Sequence, residues 1–258
     1  MFSAYHFIWL AICIALIAGS VAYLRRTKPP LERVLSAACV VAVVSEVVKT
    51  FSMLQMVPAS DGTTMHVYLS MAHVPLHLCS LQILFIFYTR FSSNTKLREI
   101  LLAFMYPSCL IGAFLALCIP TILGDSIRVN QAFTHPLGYQ YFLYHTMLVV
   151  LGLYIPMSGG IDLRPKHYLT SLATIGVLGF ASIYMNSIFS QPVYLNGKLM
   201  SVEHGTNFFF TFETPIGIPL TEMWHWYLYL AILLLLCVLL IGLCYVPVFV
   251  KAAREKRA

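Results

Sequence analysis

Five ionisable side chains fall inside long apolar stretches of the sequence, where lipid would be expected to surround them. They are Glu46 and Lys49 in "SEVVKT", His73 and His77 in "AHVPLHLCS", and His145 in "YHTML". An ionisable group at membrane depth costs about 3 kcal/mol on insertion scales, so each is a candidate functional residue. Imidazole and carboxylate are general bases and acids, and an ammonium group binds phosphate or carboxylate. The set predicts proton-transfer chemistry on an amphipathic substrate.

The composition places these residues in a polytopic membrane protein. Of the 258 residues, 59% are hydrophobic and only 10% are charged, and the mean hydropathy is +0.81. A soluble domain of this length needs more charge to cover its surface, so the net charge of +6 does not indicate a nucleic-acid partner. We predict an all-α bundle in a single domain, 1–258, with seven membrane-spanning helices. The spans are 4–24, 34–57, 67–89, 99–123, 139–158, 169–190 and 224–249.

The basic residues between the spans predict the orientation of the chain. Thirteen of the 16 Lys and Arg residues fall on one side, which the positive-inside rule assigns to the cytoplasm. Only Arg128 and Lys198 fall on the other side, and Lys49 lies within a span. The N-terminus is therefore predicted outside and the C-terminus inside, with span one a retained anchor rather than a cleaved signal. The thirteen are Arg25, Arg26, Lys28, Arg33, Arg90, Lys96, Arg98, Arg164, Lys166, Lys251, Arg254, Lys256 and Arg257.

With this topology, the five ionisable groups are predicted to meet in one layer between the midplane and the outer face. At about 1.5 Å per residue, Glu46 and His77 lie near the centre, and Lys49, His73 and His145 lie further out. If span three is a continuous helix, His73, His77 and two serines, Ser70 and Ser80, share one of its faces. Pro75 would then bend that helix between the two histidines.

The residue types predict separate roles within this layer. We predict that His77, His145 and Glu46 are catalytic, and that His73, Lys49, Ser80 and Asn207 bind the substrate. Cys79 lies two positions, or about 200° of helix, from His77, which makes it a doubtful nucleophile. The seven cysteines all fall inside predicted spans, so no disulfide framework is expected. The two histidines four apart form only a weak metal signature, and we predict no metal and no cofactor.

The connection 191–223 is too long and too apolar for an ordinary loop. It begins with "VYLNGKLM", in which Asn196-Gly197 predicts a two-residue hairpin turn. It continues with "FFFTFETPIGIP", which favours either a lid over the polar layer or a segment resting on the membrane interface through its aromatic rings. Asn207, in "GTNFFF", is expected to cap or anchor this segment as well as to be a candidate ligand-binding residue.

Several of these stretches, in the same order along the chain, resemble the YwaF-type bacterial integral membrane proteins. They are "SEVVK", "VPLHLCS", "PSCLIGAFLALCIPT", "YHTMLVVLG" and "GTNFFFTF". A more distant resemblance is to a mammalian seven-helix acyltransferase that makes polyunsaturated ether phospholipids. That resemblance places a cysteine nucleophile at Leu76, its adjacent histidine at His77, its glutamate at Glu46 and its later histidine at His145. Leu76 cannot be acylated, so the resemblance implies a shared scaffold and pocket without a nucleophile at that position.

Three functions remain open on the sequence alone. The first is a lipid-modifying enzyme that performs acyl transfer or hydrolysis on a phospholipid or lipid-linked substrate. It would be a multi-pass protein of the cell membrane, in a bacterial inner membrane. The second is a transporter or small-molecule-binding protein that uses the same pocket for its substrate or for proton coupling. The third is an accessory protein in which the polar layer only holds helices together. The expected partner is a membrane lipid or a small amphipathic molecule, and the sequence does not indicate an oligomeric state.

Overall fold

The computed structural model describes residues 3–59, 62–120, 131–195 and 198–255, and over these ranges the chain is mostly helical. Arg128, Lys256, Arg257 and the predicted turn Asn196-Gly197 lie outside the described residues. The helices are α1 (Ala4–Thr27), α2 (Leu31–Met53), α3 (Leu78–Phe91), α4 (Thr95–Pro107), α5 (Ala113–Cys118), α6 (Pro136–Met157), α7 (Pro165–Ile188) and α8 (Met223–Glu255).

Within the described residues, five helical segments are long and apolar enough to cross a membrane. They are α1, α2, the continuous segment from α4 through α5, α7 and α8. Their outward faces carry exposed Val, Leu, Ile and Phe side chains, as a surface in contact with lipid does. Helix α3 is apolar but has only 14 residues. Helix α6 has 22 residues and is the most enclosed of the long helices.

The segment from α4 to α5 is one helix with a π-helical stretch, Ser108–Gly112, in the middle. Pro107 lies directly before this stretch and has no N–H group to donate to the preceding turn. A π-helical insertion of this kind widens one turn and shifts the side chains that follow it. Leu110 of this stretch lies against Gly152, in the C-terminal part of α6.

Helix α6 is the centre of the bundle, in contact with α1, α2, α4, α5 and the π-helical stretch. Gly152 makes the closest of these contacts possible, because a Cβ built there would lie 2.6 Å from the backbone nitrogen of Leu110. A hydrogen bond from the Tyr141 hydroxyl to the carbonyl oxygen of Ala116, at 2.7 Å, joins α6 to α5. Most of the buried side chains of α6 are apolar, and His145 is an exception.

The chain is mostly helical, in agreement with the predicted all-α membrane bundle, and two short antiparallel ribbons connect its helices. Strands β1 (Gln55–Pro58) and β2 (Met65–Tyr68) pair after α2. Strands β3 (Ser190–Leu195) and β4 (Lys198–His204) pair after α7, with a register shift between Val193 and Tyr194. Leu195 pairs with Lys198, so the hairpin predicted from "VYLNGKLM" is confirmed by its strands.

The prediction of a continuous helix over 67–89 is wrong. The chain there forms strand β2, a short 3-10 helix at Met71–His73, and a stretch of bends and turns over 74–77, and α3 begins only at Leu78. Proline disfavours helical backbone angles in the residue before it, and Val74 has φ −57° and ψ 135°. Pro75 therefore ends helical structure instead of bending a helix, and the amide of Val74 donates to the carbonyl oxygen of Met71 at 3.2 Å.

We predict that Gly152→Ala lowers the melting temperature of the purified full chain. The added methyl group would overlap the backbone of Leu110, and overpacking of this kind costs about 1–3 kcal/mol. Gly176→Ala is the matched control, since a Cβ at Gly176 meets nothing within 4 Å. Equal melting temperatures for the two variants would show that α6 does not need this close approach.

Candidate functional site

A small cavity lies between α2, α6 and the chain that leads into α3. Its volume is about 40 Å³, which is room for a water molecule or the reacting group of a substrate rather than for an acyl chain. All five ionisable residues singled out from the sequence line it, together with Cys79 and Ser80. The full lining is Glu46, Lys49, Ala72, His73, Val74, His77, Cys79, Ser80, Leu137, Gln140, Tyr141, Tyr144 and His145.

The break in helical structure at Pro75 determines how His73, His77 and Cys79 reach the cavity. His73 ends the 3-10 helix, and His77 has φ −66° and ψ 151° at the start of α3. The predicted helical face with Ser70 is therefore wrong, since Ser70 accepts a hydrogen bond from the amide of Ala72 instead of lining the cavity. The argument that Cys79 points away from His77 is also wrong, because His77 is not helical and both residues line the cavity.

His145 is the most enclosed of the five ionisable residues singled out from the sequence, with 3% of its surface exposed. Its Nδ1 lies 2.7 Å from the carbonyl oxygen of Tyr141. A carbonyl oxygen can only accept, so Nδ1 carries the proton and the neutral ring keeps a lone pair on Nε2. Within the described residues this buried Nε2 has no hydrogen-bond partner. When the ring is neutral, its unprotonated nitrogen is therefore the buried Nε2.

Glu46 and Lys49 form an ion pair on α2, with Lys49 Nζ 2.8 Å from Glu46 Oε1. The lysine side chain is 14% exposed and the glutamate side chain 28% exposed. Pairing at positions i and i+3 follows from their shared helix face. The pair contributes no net charge to the cavity wall, and it leaves two ammonium protons of Lys49 for other acceptors.

The apolar segment after β4, residues 206–213, packs against His77 of the cavity lining. The ring of Phe208 is fully buried and meets the ring of His77 edge-on, with centroids 4.9 Å apart. Phe209 and Phe210, which follow, have φ of 56° and 54°. Two consecutive non-glycine residues in the left-handed region store strain of order 1–3 kcal/mol each. The segment is therefore held over His77 against a local conformational cost.

Asn186 on α7 supplies the bonds that hold it there. Its side-chain oxygen accepts from the Phe208 amide at 2.8 Å and from the Thr206 hydroxyl at 3.0 Å. Its side-chain nitrogen donates to the Phe208 carbonyl at 3.1 Å and to the Thr211 hydroxyl at 2.9 Å. All four bonds involve a fully buried amide. From α8, Trp226 donates to the carbonyl oxygen of Thr211 at 2.8 Å.

Asn207 is the one candidate that the structure does not bring to the cavity. Its side-chain oxygen accepts from the amides of Phe212 and Glu213 at 3.1 and 3.3 Å, and its nitrogen donates to the Glu213 carbonyl at 2.8 Å. Asn207 therefore anchors the segment after β4, which is one of the two roles expected from the sequence. The other expected role was ligand binding. Sequence reasoning missed Asn186, for which a lone asparagine in an apolar helix was the only signal.

Three residues of α6 that were not predicted as site residues also shape the cavity. Gln140 donates to the hydroxyl of Ser45 on α2 at 2.7 Å. The Tyr144 hydroxyl donates to the carbonyl oxygen of Cys79 at 2.9 Å, and so joins α6 to the first turn of α3. Tyr141 supplies the carbonyl that fixes the His145 tautomer. The sequence signal for these residues was the spacing of Gln140, Tyr144 and His145 on one apolar helix, which could have indicated that they lie near one another.

The cysteines and the possible metal ligands of the described residues limit the chemistry of the cavity. All seven cysteines are free, and Cys79 alone among them lines the cavity. No group of three or more His, Cys, Asp or Glu side chains is arranged to hold a metal ion within the described residues.

Comparison with known families places the chain in a membrane family. The TMEM164 family model matches residues 1–245. The chain belongs to the TMEM164 family. It is thus a multi-pass membrane protein, in agreement with its apolar helices. No curated protein and no solved structure matches the chain.

We predict that Asn186→Ala loosens the segment after β4. The substitution removes four buried hydrogen bonds, each worth about 1 kcal/mol net, so amide hydrogen exchange at residues 206–212 should rise by at least about tenfold. Ser187→Ala, an exposed position on the same helix, should leave exchange unchanged. Unchanged exchange in Asn186→Ala would mean that other contacts hold the segment over His77.

Proposed function

We propose that the cavity is the reaction site of a membrane enzyme that transfers or hydrolyses an acyl group of a phospholipid. The observation that carries this proposal is the buried Nε2 of His145. The Tyr141 carbonyl accepts from Nδ1, so Nε2 is the unprotonated nitrogen of the neutral ring, and no described residue hydrogen-bonds to it. Leaving such a nitrogen unpaired is costly in a folded protein, and the cost is offset if a substrate hydroxyl or water binds there.

The proposed role of His145 is general base. Its Nε2 removes the proton from a hydroxyl group while the hydroxyl oxygen bonds to the carbonyl carbon of the acyl ester. The ester C–O bond then breaks, and the leaving alkoxide takes the proton back from Nε2. With a lysophospholipid hydroxyl as the nucleophile the reaction is acyl transfer, and with water it is hydrolysis.

Negative charge develops on the acyl carbonyl oxygen in this step. In this proposal, amide groups in the first turn of α3 stabilise that charge. The first intrahelical bond of α3 runs from the Leu81 amide to the His77 carbonyl at 2.9 Å, so the amides of residues 78–80 have no intrahelical acceptor. Amide groups at a helix start favour negative charge. Lys49, in the same lining, is suited to bind the phosphate group of the lipid.

The remaining cavity residues take supporting roles in this proposal. Glu46 holds Lys49 in place through their ion pair. His77, His73 and Ser80 contact the substrate from the opposite wall. Leu76, where the acyltransferase resemblance places the nucleophile, has no group that can be acylated. Cys79 is the thiol of the lining, and an acyl-thioester route would pass through it.

The cavity volume determines how a lipid would bind. A space of about 40 Å³ admits only the reacting ester, so the acyl chains would remain among the helices and the Phe208 segment would move to admit the headgroup.

Helix α3 rises about 21 Å over its 14 residues, which is less than the ~30 Å hydrocarbon core. We therefore place seven crossings in the membrane, with α6 and α3 among them and residues 69–77 completing the third. The N-terminus is outside, and the membrane is a bacterial inner membrane.

We predict that His145→Ala lowers acyl transfer or hydrolysis by about 10²–10⁴-fold, the usual contribution of a general base. The assay is mass spectrometry of lipids after incubating the purified full chain with phospholipids and lysophospholipids in mixed micelles. His66→Ala, at an exposed position of β2, is the control and should retain full turnover. Wild-type turnover in His145→Ala across the lipid panel would overturn the proposal.

Cys79→Ala separates the two nucleophile routes in the same assay. Direct attack by a hydroxyl predicts that turnover persists and that no acylated protein accumulates. A thioester route predicts loss of turnover and, in wild type, a covalent acyl mass adduct on the peptide that contains Cys79.

A second candidate function, proton-coupled transport, is favoured by the Glu46–Lys49 pair beside an unpartnered histidine. A membrane-embedded carboxylate that exchanges partners with a lysine can link protonation to substrate binding. In proteoliposomes, substrate uptake driven by a pH gradient should then be lost in Glu46→Gln. The control Glu203→Gln, at an exposed position of β4, should keep this uptake. Such uptake in the absence of lipid turnover would favour transport over the enzyme.

A further inference from the structure

A second, larger depression lies on the bundle surface between α1 on one side and the π-helical stretch, α5 and α6 on the other. Its volume is about 820 Å³. Leu110, Phe114, Val149 and Leu153 form one wall, and α1 forms the other. On α6 it lies beside Val149 and Leu153, beyond the positions from Leu137 to His145 that line the small cavity. It is therefore a separate site.

The wall formed by α1 follows two rows of residues spaced four apart. One row runs through Ile14, Ala18, Ala22 and Arg26, and the other through Ile17, Val21 and Arg25. Residues four apart lie above one another on a helix. Each row therefore begins with aliphatic side chains and ends on an arginine. The alanines at 18 and 22 keep the space open where larger side chains would fill it.

The dimensions of this groove match one membrane leaflet. Ile14 and Arg26 are twelve residues apart, or about 18 Å along the helix. Half of a ~30 Å hydrocarbon core is about 15 Å. Aliphatic side chains thus span the depth of one leaflet, and the two guanidinium groups lie at the level of its headgroups.

The two arginines are exposed and free to bind an anion. Across the described ranges, no carboxylate forms an ion pair with Arg25 or Arg26. In contrast, Arg98 and Arg164 at the same end of the bundle pair with Glu32 and Asp162. Guanidinium groups bind phosphate through paired N–H donors.

We propose that this groove is a binding site for one anionic phospholipid of the leaflet at the basic end of the bundle. The acyl chain lies along Ile14, Ala18 and Ala22, and the phosphate binds Arg25 and Arg26. Apolar fit alone would not distinguish lipids, whereas two unpaired arginines at headgroup level favour a lipid with net negative charge. The proposal does not depend on the chemistry of the small cavity.

The test is native mass spectrometry of the purified full chain titrated with phosphatidylglycerol or with phosphatidylcholine of the same acyl chains. One phosphatidylglycerol should bind in preference to phosphatidylcholine. Arg25→Gln/Arg26→Gln should weaken phosphatidylglycerol binding by roughly thirty-fold, the factor that two charges near an anionic headgroup supply. Ala18→Trp, at an exposed position within the groove, should reduce binding of phosphatidylglycerol without changing any charge.

The matched control removes two basic residues from the same end of the bundle but outside the groove. Lys96 and Arg254 are exposed, and Lys96→Gln/Arg254→Gln should bind phosphatidylglycerol as wild type does. Equal binding of the two lipids, or equal losses in the control and in Arg25→Gln/Arg26→Gln, would overturn the proposal. A two-chain mass that disappears in Ala18→Trp would instead assign the groove to a second copy of this chain.

Discussion

The restriction that Pro75 imposes on Val74 is the constraint on which the architecture of the small cavity depends. Val74 is held in an extended conformation, so α3 begins at Leu78, and the chain before it crosses the wall of the cavity as non-helical backbone. In a continuous helix, His77 and Cys79 would point in directions about 200° apart. The break places both in one lining with His145. The stretch 74–77 runs along the wall of the cavity, where Val74 and His77 are lining residues, and Pro75 within it is exposed.

The cavity combines groups that are held in place with one that is left free. Glu46 fixes Lys49, Tyr144 holds the carbonyl of Cys79, and Gln140 holds Ser45. Asn186 holds the segment that places Phe208 on His77. Nε2 of His145 is the buried side-chain atom of the lining that has no hydrogen-bond partner among the described residues. Preorganised partners around one unpaired basic nitrogen are what proton transfer requires, because no reorganisation is then needed when the substrate arrives.

Much of the bundle could be predicted from the sequence because apolar runs end where charged residues and prolines begin. The expected span 139–158 corresponds to Pro136–Met157, and 169–190 corresponds to Pro165–Ile188. The meeting of Glu46, Lys49 and His145 was also predictable, because the helices assumed for their depths are present. His73 and His77 join them in the lining although the helix assumed for those two residues is broken. The Asn196-Gly197 hairpin followed from local turn chemistry.

Other features could not be read from the sequence. A continuous apolar run does not reveal whether Pro75 kinks a helix or delays its start, and that choice decided the direction of Cys79. Asn186 is one polar residue in an apolar helix, and its four hydrogen bonds go to three residues that lie 20 to 25 positions later. Its role depends on tertiary contacts that have no local signal. The tautomer of His145 likewise depends on a carbonyl of its own helix, at Tyr141, being free to accept from the ring.

The central claim is that His145 presents an unprotonated Nε2 to a lipid bound in the cavity. The most direct test is nitrogen-15 NMR of the full chain with labelled histidine, with the His145 signals assigned from their loss in His145→Gln. The account predicts a neutral ring with its proton on Nδ1, and an Nε2 resonance that moves when phospholipid is added. A proton on Nε2, or an Nε2 resonance that no lipid shifts, would contradict it.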